Sequence, residues 1–141
     1  HLHEFPLDTP YSNVIGHLAH ANQQFHTFQK LIVDQTGVGE PVLEELKSQN
    51  IQNIEGITFT TQTKETLLTN LKLTMEQKQL AIPYHRRLTQ QINQQQYEYT
   101  KNGHLTFTHP QGTHDDQLWA LALAAYATKQ TQSEPHVFIT K

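Results

Sequence analysis

The chain has no cysteine. That excludes disulfides, thiolate zinc sites and a cysteine nucleophile. No run of about 18 apolar residues occurs, so no segment has the length of a membrane-spanning helix. No charged-then-apolar leader opens the sequence, so no secretion signal is expected. Charge is sparse as well: Asp, Glu, Lys and Arg make up 16% of 141 residues, and the formal net charge is -3. Such a balance does not advertise a nucleic-acid partner for the chain as a whole. Asp is scarce, at Asp8, Asp34, Asp115 and Asp116 only. The phosphate loop GxxxxGK[ST] is absent, and Gly37-Val38-Gly39 has no third glycine to complete GxGxxG. Ser12, Ser48 and Ser133 lie in no nucleophile-elbow context. The histidines show no zinc-ligand spacing.

What is present reads as one α/β domain over residues 1–141, with 130–141 as a loose tail. The length suffices for one real core. The first residue is not Met, and His1 to Phe5 reads as the inside of a strand stopped by Pro6, so the sequence is expected to be a fragment of a longer protein. Apolar spacing from Tyr11 to Phe28 predicts a helix, with Thr9 as N-cap and Pro10 at its first position. Leu31-Ile32-Val33 predicts a short strand buried on both faces. A helix from Pro41 to about Asn50, a strand over Ile54 to Thr60 and a helix from Lys64 to Gln79 follow. Leu80 to Pro83 reads as extended, and Arg87 to Tyr97 as a further helix. Lys101-Asn102-Gly103 signals a hairpin between Tyr97-Glu98-Tyr99 and Leu105-Thr106-Phe107. Asp115 to Lys129 is the longest and most apolar helix, and Val137-Phe138-Ile139 is a candidate edge strand.

Three of the four Asp fall at two boundaries. Asp34 closes an apolar strand, where functional groups of α/β sheets gather. Gly37 and Gly39 let the chain turn sharply beside it. A local turn with the amides of Thr36 or Gly37 accounts for this Asp equally well. Asp115 and Asp116 open the last helix, where the macrodipole favours acids, and Thr113 with Asp116 resembles a capping box. Capping explains one acid but not His114 plus two acids on an otherwise apolar helix. Carboxylates gathered at one sheet edge suit Mg²⁺ or Mn²⁺, which favour hard oxygen ligands. Two such ions support phosphodiester hydrolysis. His114 is a candidate outer ligand or proton shuttle, and His109 lies near enough in sequence to join it. Lys64, after a strand, and Arg86-Arg87, beside Tyr84 and His85, are candidate phosphate contacts, although solvated charge explains them too.

The ordered set Val33-Asp34-Gln35-Thr36-Gly37-Val38-Gly39-Glu40-Pro41-Val42, Ile57-Thr58-Phe59-Thr60 with Lys64, Leu80-Ala81-Ile82-Pro83, and His114-Asp115-Asp116 with Ala120 to Ala124 resembles the C-terminal nuclease domain of phage terminase large subunits, over roughly Phe5 to Ala127. The resemblance implies an RNase H-like (resolvase-like) mixed sheet flanked by helices. It implies an endonuclease that uses Mg²⁺ or Mn²⁺ to cut concatemeric viral double-stranded DNA, acting in the host cytoplasm during virion assembly. It further implies a packaging ATPase domain in the same chain and contacts with portal and small terminase. Asp34 matches the family's second acid. Asp115 or Asp116 matches the third, with Asp115 favoured and Asp116 beside the site. No residue matches the family's first-strand acid, and Glu4 and Asp8 do not replace it. Two other readings therefore stay open: a catalytically defective remnant or interaction module, and another RNase H-like nuclease such as a junction resolvase.

Overall fold

The computed structural model describes residues 2–25, 27–37, 39–101, 103, 105–108, 110 and 114–132. The chain divides into two compact units, His1–Ile57 and Thr58–Lys141.

The first unit is built on a βαβ crossover. Strand β1 (Leu31–Asp34) pairs in parallel with β2 (Ile54–Ile57), so that Leu31 faces Ile54 and Asp34 faces Ile57. Parallel neighbours need a crossover between them. Helix α2 (Gly39–Ser48) supplies it, and α1 (Tyr11–Gln24) packs against α2. The 3.6-residue period of α1 and α2 brings Ile15 and Leu46 together with Ile51. Leu18, Phe28, Leu31, Val33, Val42 and Ile54 close around these three. Gly56 leaves room for α2 and the turn after β1: a Cβ there would lie 2.6 Å from Leu43 Cδ1 and would collide with the Gln35 amide. The α2–β2 connection turns on Asn50 and Asn53, both at positive φ (59° and 56°), a conformation Asn tolerates better than most residues.

Several boundaries differ from expectation. Residues 2–6 carry no strand. The rings of His3 and Phe5 instead pack on His17 of α1, with the two imidazoles stacked at 4.2 Å. Thr9 is not the N-cap of α1. Pro10 holds that position without a side-chain cap, and its carbonyl accepts the N–H groups of Asn13 and Val14. The helix stops at Gln24 rather than Phe28 because the chain folds back: Asn22 Oδ1 accepts the Phe28 N–H at 2.7 Å and Thr27 takes a φ of 82°. Strand β1 is half-buried rather than enclosed on both faces.

The second unit carries α3 (Thr61–Glu76), α4 (Arg86–Gln94), the hairpin β3 (Gln96–Tyr99) and β4 (Leu105–Thr108), and α5 (Asp116–Gln132). Helix α3 begins three residues earlier than its apolar spacing suggests. Thr60 and Thr63 form a reciprocal capping box, and the Thr63 hydroxyl also donates to the Thr58 carbonyl. The α4 pattern ends sooner than expected, because the antiparallel hairpin takes Gln96 and Tyr97. Gly103 meets the φ of 80° that its turn demands. Helix α5 packs on α3 and α4, burying Leu118, Trp119, Ala122, Leu123 and Ala125. Thr113, His109 and the tail strand Val137 to Ile139 lie outside the described residues. Among the described residues no helix is long and apolar enough to cross a membrane.

Candidate functional site

Asp34 is the last residue of β1, at the carboxyl end of its parallel pair. The strand ends there because Asp34 makes a local turn. Its Oδ1 accepts both the Thr36 backbone N–H, at 2.9 Å, and the Thr36 hydroxyl. The ladder reaches one bond further, from the Gln35 N–H to the Ile57 carbonyl. The turn foreseen with the Thr36 amide is therefore present, and it fixes the rotamer of a half-buried carboxylate at a strand end. A carboxylate so held uses Oδ1 locally and leaves Oδ2 outside this turn.

In the second unit, Asp115 immediately precedes α5 and Asp116 is its first residue. Asp115 is half-buried, whereas His114 and Asp116 are exposed. The Asp115 carbonyl accepts the Trp119 N–H at 3.0 Å, and its Oδ2 accepts the Trp119 indole Nε1–H at 2.8 Å. Asp116 places a negative charge on the first turn, where unpaired amides and the macrodipole favour it. One of those amides, the Leu118 N–H, is satisfied from another helix: Gln91 Oε1 of α4 accepts it at 3.0 Å inside the core.

Lys64 lies in the first turn of α3. Its ammonium sits 5.3 Å from the centroid of the Trp119 rings and 5.8 Å from that of Phe59, and the two aromatic groups meet at 4.9 Å. Both distances are within cation–π range. Lys64 thus belongs to the same cluster as Asp115, joined through Trp119. Phe59 stands out in the sequence only as part of a motif run and Trp119 not at all, so neither is expected at the site. The available signal was spacing: an indole four residues after an acid at a helix start is placed to donate back to it. Arg86 and Arg87 open α4 as exposed side chains. The first unit holds Asp34; the second holds His114, Asp115, Asp116, Lys64, Arg86 and Arg87. Among the described residues, no group of three or more His, Asp or Glu side chains is placed to hold a metal ion.

The family model for the Terminase RNaseH-like domain matches residues 13–127. The terminase large subunit of Thermus phage G20c is 32% identical over 94 residues, covering 67% of this chain and 19% of the phage protein. The chain thus spans about a fifth of that relative's length. A crystal structure of the large terminase nuclease from thermophilic phage G20c with bound magnesium superposes with a TM-score of 0.72 at 28% identity. The match covers 84% of this chain and 62% of that one. A second structure of that nuclease, with bound cobalt, gives the same TM-score, identity and coverage. The chain belongs to the Terminase RNaseH-like domain family and has its RNase H-like α/β fold.

Proposed function

We propose that this chain is the metal-dependent DNA endonuclease domain of a viral genome-packaging terminase, cutting concatemeric double-stranded DNA. The observation that carries the reading is the pair of anchored carboxylates, Asp34 at a strand end and Asp115 at a helix start, in a chain whose solved relatives bind magnesium and cobalt. The donor set fits a hard divalent cation: it offers carboxylate oxygens and no sulfur. Mg²⁺ needs only one or two carboxylates when waters and substrate phosphate complete its shell. When bound, Mg²⁺ or Mn²⁺ supplies Lewis-acid stabilisation of the reacting phosphodiester oxygens.

The chain's own residues then have distinct tasks. Thr36 orients the Asp34 carboxylate and Trp119 orients that of Asp115, each within its own unit. Asp116 adds negative charge beside Asp115. His114, exposed at the helix start, is placed to move a proton. Lys64, Arg86 and Arg87 meet backbone phosphates, which position DNA without reading its sequence. The packaging ATPase, portal and small terminase are the partners this reading assigns, and the infected host's cytoplasm is its place of action. The test is nicking of supercoiled plasmid in Mn²⁺. Asp34→Ala abolishes it under this reading, and undiminished nicking by that variant rejects the assignment.

A second reading is a scaffold that has lost catalysis and serves as an interaction module. It is favoured by the lack of a three-ligand group among the described residues. Mn²⁺ at millimolar concentration separates the two, because a cation bound by the folded state raises the melting temperature.

A further inference from the structure

We propose that Trp119 is the positioning residue for the Asp115 carboxylate, an inference that rests on reading Asp115 as a metal ligand. Asp115 precedes the first residue of α5, so the regular helix does not fix its side chain. The Trp119 indole holds it, donating to Oδ2 at 2.8 Å, while the Trp119 backbone N–H makes the ordinary helix-opening bond to the Asp115 carbonyl. The indole Nε1–H can only donate. It therefore needs an acceptor, and the Asp115 Oδ2 supplies one, which restrains the side-chain rotamer.

The indole is itself immobilised. Trp119 is 9% exposed, and its rings lie at 51° to the Phe59 ring. The Lys64 ammonium braces both aromatic groups, and Lys64 is carried on a helix start that the Thr60–Thr63 capping box secures. A ligating carboxylate generally depends on an outer partner of this kind for its orientation. Trp119 reaches the cation only through Asp115 and is not itself a catalytic residue.

Trp119 is the only tryptophan in the chain, so it gives one indole N–H resonance. That resonance is followed by NMR during Mg²⁺ titration of the parent chain and of Asp115→Asn. Mn²⁺ affinity is measured by calorimetry for the parent, Asp115→Asn and Trp119→Phe, the last of which keeps an aromatic ring but removes the donor. The expected result is an indole shift with Mg²⁺ in the parent that is lost in Asp115→Asn. Mn²⁺ affinity should fall on the order of 10-fold in Trp119→Phe, with the metal-free fold retained. Unchanged affinity in Trp119→Phe, against a loss in Asp115→Asn, overturns the role of Trp119 and leaves the metal reading standing. Full affinity in Asp115→Asn overturns both. An indole resonance indifferent to saturating Mg²⁺ in the parent overturns the positioning role even if Trp119→Phe does not fold.

Discussion

Gln91→Leu isolates one hydrogen bond at the start of the acid-bearing helix. Gln91 is 6% exposed, and its Oε1 accepts the N–H of Leu118, which is 2% exposed. Leu118 is the third residue of α5, so its amide has no acceptor within its own helix. Leucine keeps most of the side-chain volume and supplies no acceptor. The buried N–H is then left unpaired, at a cost of about 1–3 kcal/mol. The added apolar surface offsets part of this, so about 2 kcal/mol is the working figure. For a chain of this size that lowers the melting temperature by roughly 4–8 °C. Urea unfolding followed by far-ultraviolet circular dichroism measures it, with the midpoint falling and the slope unchanged. A loss below about 0.5 kcal/mol refutes the reasoning, since it means that α5 does not depend on a neighbouring helix for its N-terminal pairing.

Two further substitutions test the parts that surround the acids. Gly56→Ala should cost about 1–3 kcal/mol, because Gln35 can swing aside but Leu43, 6% exposed, cannot; thermal unfolding measures this, and a neutral result shows that α2 can shift away from β2. Thr60→Ala should cost about 1 kcal/mol by breaking the capping box of α3, while Thr60→Ser keeps most of the stability; equal loss in the two variants, read from urea midpoints, argues against the cap.

Local chemistry made much of this fold legible. Leu31 to Val33 reads as a strand because three apolar residues, two of them β-branched, meet an Asp and a glycine-rich turn. The hairpin is announced by Lys101-Asn102-Gly103, and α5 by its unbroken apolar run. Non-local contacts decided where the reading fell short. His3 and Phe5 alternate as a strand would, but ring packing on His17 takes them up instead. Helix α1 stops early because Asn22 captures the Phe28 amide, a bond that no periodicity encodes. Among the candidate site residues, Asp34 and Asp115 stood out by position. Their anchors differ in kind. Thr36 is two residues from Asp34 and was foreseen as an amide partner. Trp119 reads as one more apolar residue of a buried helix until its N–H is seen to reach Asp115.

The pairing of β1 with β2 limits how this protein can change length over evolutionary time. Side chains along a strand alternate between faces, and Asp34 is aligned with Ile57. One residue gained or lost within Leu31–Asp34 would turn the acid to the opposite face even if every hydrophobic residue found a new partner. Insertions and deletions in this stretch should therefore be purged far more strictly than single substitutions, and lineages that keep the acid should keep the spacing from Leu31 to Asp34 unaltered.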